Sequence, residues 1–127
     1  MIQPNDLRIG NLVECSGKVT KINSIHTIFA FSTMGHAVDL LYNNDAYVES
    51  ARVEDINPIP ITHDWIRKLG FNINLRGWSK SGFMLFYHNR NIVFGIQAQV
   101  VSYRSIEYIH QLQNLYFAII GEELTIK

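Results

Sequence analysis

The chain is short of several things, and each shortage removes a class of function. Cys15 is the only cysteine, so an internal disulfide and any zinc site needing two thiolates from one chain are excluded. No apolar run approaches the ~20 residues that a membrane-spanning helix requires. No basic, apolar and small-residue succession reads as a secretory signal, so the expected location is the cytoplasm, with no membrane partner. Neither charge sign is in excess: Lys plus Arg and Asp plus Glu both number 11. That balance supplies no general attraction to nucleic acid or to anionic lipid. The five histidines fall in no H-x-H or H-E-x-x-H spacing, and Gly77 and Gly82 lack the order of a phosphate-binding loop. No metal or other cofactor is expected.

What is present is apolar residues, at 47% of 127, enough for a packed core in one domain or two small joined units. The first half alternates apolar and polar residues in short runs. Strands are expected at Leu7 to Cys15, broken near Gly10, then Val19 to Ile25, Thr27 to Ser32, Ala37 to Tyr42 and Tyr47 to Val53. Ser16-Gly17, Met34-Gly35 and Asn43-Asn44-Asp45 are the turn signals between them. Five short strands with tight turns point to a small antiparallel barrel of SH3-like type over residues 1–57. Such a barrel could present Phe29, Phe31, Tyr42 and Tyr47 to a peptide, although alternation favours Phe29 and Phe31 as core.

Residues 58–127 read differently. Pro58 and Pro60 stiffen the joint toward an extended path. Thr62 is placed to cap a helix from His63 to Leu69. Asp64 lies in its first turn, Arg67 and Lys68 in its last, and Gly70 at its left-handed stop. Trp65, Ile66 and Leu69 make its apolar face. Asn72 to Leu75 reads as a short strand and residues 77–82 as a turn region. Phe83 to His88 and Ile92 to Ala98 form a hairpin joined by Asn89-Arg90-Asn91, and Val100 to Tyr103 finishes the sheet. Both faces of that hairpin are apolar, as in a sheet covered on two sides.

Ser105 to Gly121 carries the longest helical pattern. Ile109, Leu112, Tyr116, Ile119 and Ile120 share one sector at 3.6 residues per turn. Ser105 is positioned to cap it and Gly121 to stop it. Leu124 to Ile126 is a candidate tail strand. The fold class is therefore α+β: an antiparallel barrel followed by an α-β-β-β-α unit with helices packed on an antiparallel sheet.

Arg8-Ile9-Gly10-Asn11, the PIPITHDW segment at Pro58 to Trp65, HQLQNLYFA at His110 to Ala118 and GEEL at Gly121 to Leu124 resemble a family of short proteins from Bacteroidetes and their phages or mobile elements. That family has no assigned activity. The resemblance therefore implies a phage or mobile-element origin and supplies no catalytic residue.

Two polar groups could carry function. Glu107, His110, Gln111 and Asn114 line the polar side of the last helix, where i,i+3 and i,i+4 spacings make them neighbours. They would form an interaction surface for a protein partner, the chain itself included; the competing reading is a solvated helix face. Arg76, Trp78, Lys80 and Arg90 combine cations with a ring, as single-stranded nucleic-acid sites do. The competing reading folds Trp78 onto the core with the cations in water. Cys15 ends a strand, away from any helix N-terminus that would activate it, and reads as a small hydrophobe. The expected function is a non-enzymatic interaction module of a phage or mobile element, with nucleic-acid binding through residues 76–80 as the alternative.

Overall fold

The computed structural model describes residues 7–30, 33–42, 47–74, 77–88, 91–96, 99–102 and 105–126. The chain divides into two compact units, Met1–Ile59 and Pro60–Lys127. Among the described residues each contains one antiparallel sheet, and the two α-helices belong to the second.

In the first unit the strands are β1 (Leu12–Cys15), β2 (Lys18–Ala30), β3 (Thr33–Tyr42), β4 (Tyr47–Arg52) and β5 (Ile56–Asn57), with a 3-10 turn at Val53–Asp55 before β5. Their order in the sheet is β4-β3-β2-β1-β5, so β5 returns to pair with β1. Ser16 and Gly17 both have positive φ, 52° and 78°, and Cys15 faces Lys18 across them. That is the mirror-image two-residue turn whose twist suits a hairpin.

Two expectations fail here. Val19 to Ile25 and Thr27 to Ala30 are not separate strands; they run on as the single 13-residue β2, whose His26 pairs with Ala37, while Phe31 and Ser32 of the expected third strand lie outside the described residues. Met34-Gly35 is not a turn either, since Gly35 lies inside β3 opposite Ile28. The long strand is accommodated by an irregularity: Ile22 faces Leu40 but Ser24 faces Asp39, leaving Asn23 as the extra residue of a bulge that adds local twist.

The break expected near Gly10 is a turn, and the strand starts after it. Arg8 N–H donates to Asn11 Oδ1 at 2.6 Å, and Asn11 N–H donates back to the Arg8 carbonyl at 3.1 Å. Gly10 supplies the positive φ, 97°. Its N–H and the Asn11 carbonyl bond both polar groups of the Ile22 backbone, at 2.8 and 2.9 Å. Asn11 is fully buried because these bonds replace those it would make to water. The core beneath is Leu7, Val13, Cys15, Ile22, Leu40 and Ile56, with Ile25 and Ala51 at its margin.

In the second unit α1 (His63–Lys68) precedes β6 (Asn72–Asn74), β7 (Gly77–Lys80), β8 (Phe83–His88), β9 (Asn91–Ile96) and β10 (Gln99–Ser102), and α2 (Ile109–Ile120) closes it. The sheet is a plain meander, β10-β9-β8-β7-β6. Among the described residues the unit thus has five strands, where the segment-by-segment reading named four and the α-β-β-β-α order three. The extra order comes from residues 77–80, expected as a turn: they pair with β6 on one side and β8 on the other. The turn itself shrinks to Ser81-Gly82, a second mirror-type pair with φ of 52° and 84°. Asn91 belongs to β9, opposite His88; residues 89–90 lie outside the described ones.

The α1 reading survives in detail. Trp65 N–H donates to Thr62 Oγ1 at 3.2 Å. Gly70 N–H donates to Arg67 O and Phe71 N–H to Ile66 O, with Gly70 at φ 89°. This bond pair is the Schellman stop, which satisfies two helix-end carbonyls. Ile66 and Leu69 are buried, and Trp65 is half-buried.

The sheet face carrying Trp78, Phe83, Leu85 and Phe94 receives the aromatic core. Phe83 meets Tyr116 of α2 edge-on at 5.4 Å and stacks on Phe94 at 5.7 Å, while Phe71 touches both Phe83 and Tyr116. Phe86 and Val93, paired on the opposite face, are buried as well, as both faces of the hairpin were expected to be.

Candidate functional site

The polar group at the start of α2 resolves into four different situations. The helix begins at Ile109, with Tyr108 rather than Ser105 as its capping residue. Gln111 does the capping: its Oε1 accepts from Glu107 N–H at 3.0 Å and from Tyr108 N–H at 3.1 Å. This is the reach-back half of a capping box, normally made by a residue three places into the helix. Glu107 is exposed, and its carbonyl accepts from Ile61 N–H at 3.1 Å. Pro60 bridges Tyr108, so the joint is stitched to the helix entry.

His110 does not face solvent. It is 3% exposed, and the Tyr108 ring stacks on it at 6.0 Å and 13°. Asn114 is half-buried. Of the four residues expected to form an open surface, Glu107 and Gln111 alone are exposed, and Gln111 is occupied by the helix end. The polar residue missed in this helix is Gln113. It is buried, and its Nε2 donates to the Leu124 carbonyl at 3.0 Å. The signal was present: Gln113 stands between Ile109 and Tyr116 at i+4 and i−3, on the apolar stripe. A carboxamide there must bond internally. Leu124 is buried without forming the expected tail strand.

Of the cation-and-ring group, Trp78 and Lys80 lie among the described residues, both in β7. Trp78 is 5% exposed and meets the His63 ring edge-on at 5.0 Å. At that exposure little of the indole face is open for a base to stack on. Lys80 Nζ donates to the Leu69 carbonyl at 3.0 Å and lies 5.9 Å from the Tyr116 ring centre. One side chain thus joins the end of α1, the sheet and α2. Arg76 and Arg90, and the side chains of Phe29, Phe31, Tyr42 and Tyr47, lie outside the described ones.

The segments behind the family resemblance have folding tasks wherever the structure describes them. Asn11 builds the first turn, Thr62 and Gln111 cap helices, Gln113 anchors the tail, and Gly121 at φ 84° ends α2. Among the described residues no group of three or more His, Cys, Asp or Glu could hold a metal ion. No helix among them is long and apolar enough to cross a membrane.

The feature left over is apolar. Among the described residues Ile73 is 79% exposed, more than the other exposed large hydrophobics, Ile9, Val19, Phe117 and Ile126. It sits in the middle of β6, an edge strand all of whose residues are exposed. No family model, curated protein or solved structure matches the chain.

Proposed function

We propose that this chain is a non-enzymatic protein-interaction module, an accessory protein of a phage or mobile element, and that its first unit is an SH3-like barrel. The return of β5 to β1 supports the barrel reading. The four resembling segments support the accessory role.

The observation that carries the interaction reading is Ile73. An edge strand offers unpaired backbone groups to another chain, and proteins ordinarily protect such edges with charge, proline or a bulge. The other edge strand of this sheet, β10, has a register irregularity between Val100 and Ser102. β6 is regular, uncharged and free of proline, with a large apolar side chain at its centre.

The test is affinity capture from the native host with wild-type chain and Ile73→Lys. Host proteins retained by the wild type and lost with the variant are the expected result. Equal retention by both would remove the reading.

A further inference from the structure

We infer that the partner of β6 is a second copy of this chain, joined edge to edge about a twofold axis through Ile73. This inference rests on the interaction reading above and names the occupant of that same edge.

The argument begins with the sequence of the strand. Asn72-Ile73-Asn74 reads the same in both directions. When two identical strands pair antiparallel about a twofold, residue i meets residue j and j meets i. Centred on Ile73, that operation sets Ile73 against Ile73 of the second copy, and Asn72 against the second copy's Asn74 on both sides of the axis. No apolar side chain then faces an amide.

The backbone fits equally well. Opposed residues in an antiparallel ladder alternate between hydrogen-bonded and non-hydrogen-bonded pairs. If Ile73 turns its N–H and C=O outward, the central pair exchanges both bonds. If Asn72 and Asn74 do, the two flanking pairs exchange them. The twofold is satisfied in either phase.

The side chains agree with the backbone. Across the axis the two Ile73 side chains share a face with Cβ atoms ~4.5–5.5 Å apart, so each covers apolar surface that is 79% exposed in the single chain. On the opposite face Asn72 meets the second copy's Asn74, polar against polar. Asn74 Oδ1 already accepts from Gly77 N–H at 3.0 Å, which holds that side chain in place. The strand itself carries no charge, so its three pairs set no like charges opposite each other. A foreign strand would match the backbone too, but the symmetry of the side chains favours self-pairing.

The same geometry limits the strength. A three-residue strand covers far less than the ~1,600 Å² of a standard stable interface. Association is therefore weak and belongs at high concentration.

Sedimentation equilibrium of the whole chain up to about 1 mM, the Kd range of small interfaces, tests this. The weight-average mass should climb from 14.6 kDa toward twice that value, and Ile73→Lys should weaken association at least about tenfold with an unchanged circular dichroism spectrum. Register is tested in a Cys15→Ser background. On mild oxidation Ile73→Cys should give several-fold more covalent dimer than Asn72→Cys, because position 73 alone meets itself at the axis. A chain that stays monomeric throughout, an association indifferent to Ile73→Lys, or equal cross-linking at both positions would overturn the inference. A monomeric chain that still captures a host protein through Ile73 would leave the interaction reading standing and remove this one. Loss of both would remove both.

Discussion

Gln113 Nε2 donates to the Leu124 carbonyl at 3.0 Å in the interior of the second unit. This bond closes the chain end over α2. Without it a buried carbonyl loses its partner, and the desolvation cost of that group is no longer offset. Gln113→Leu keeps the side-chain bulk and removes the donor. It should lower the unfolding free energy by about 1–3 kcal/mol, measured by urea denaturation. A variant as stable as the wild type would mean that the carbonyl finds water.

Lys80 has a similar task with a charged donor. Its bond to the Leu69 carbonyl satisfies the end of α1, where a cation also suits the negative pole of the helix. Lys80→Met retains most of the apolar stem and removes the ammonium. A loss of about 1.5–2 kcal/mol is expected, the lower part of the range for charged hydrogen bonds because the group is partly solvated. Trp78→Ala should cost more, about 3–5 kcal/mol, because a buried ring is removed. Thermal melts should therefore show both variants destabilised, with Trp78→Ala the worse. An unchanged melt for Trp78→Ala would return the ring to solvent and restore the nucleic-acid alternative.

These two residues show where sequence reading succeeds and where it stops. The segment from Thr62 to Phe71 was legible because every signal in it is local: a cap, a charge at each end, a glycine stop. Gly121 is legible for the same reason. β2 was not. Its continuity through His26 depends on pairing along the whole of β3, where Ala37 lies opposite, and its bulge at Asn23 leaves no local mark. Residues 77–80 read as a turn because two glycines bracket them. They are a strand because β6 and β8 lie on either side. The apolar stripe of α2 was read correctly at Ile109, Leu112 and Tyr116, all fully buried. Its polar flank was misjudged because the helix starts later and because Tyr108 lies over His110. A helical wheel treats solvent as the default on that side; the stitching of Pro60 and Ile61 to Glu107 and Tyr108 is a tertiary fact.

Tyr116 offers a test of opposite sign. Its ring is central to the aromatic core, yet its hydroxyl is buried and makes no hydrogen bond to the described residues. A buried hydroxyl without a partner opposes folding by about 1–3 kcal/mol on mutational scales. Tyr116→Phe keeps the ring contacts with Phe71 and Phe83. It should be neutral or stabilising by up to about 1 kcal/mol, part of that penalty. A clear loss of stability in chemical denaturation would show that an ordered water or another group holds the hydroxyl.

Two glycines, Gly77 in β7 and Gly82 in the turn that follows it, share a positive φ, 154° and 84°, and differ in backbone crowding. At Gly77 a Cβ would collide with the Leu85 carbonyl oxygen, across the very pairing that makes residues 77–80 a strand. The atom in the way is backbone, so it cannot be relieved by a rotamer change. At Gly82 a Cβ meets nothing within 4 Å, and the positive φ of 84° is the only obstacle. Left-handed geometry costs an alanine roughly 1–2 kcal/mol. A forced displacement of backbone adds a further roughly 1–3 kcal/mol or more. Gly77→Ala should therefore be at least about 1 kcal/mol more destabilising than Gly82→Ala, that addition taken at its lower end, when the two are compared by denaturant titration. The gap is set by the β7–β8 ladder. If the two variants were equally stable, residues 77–80 would not be held against β8 as described, and the turn first expected there would be the better account.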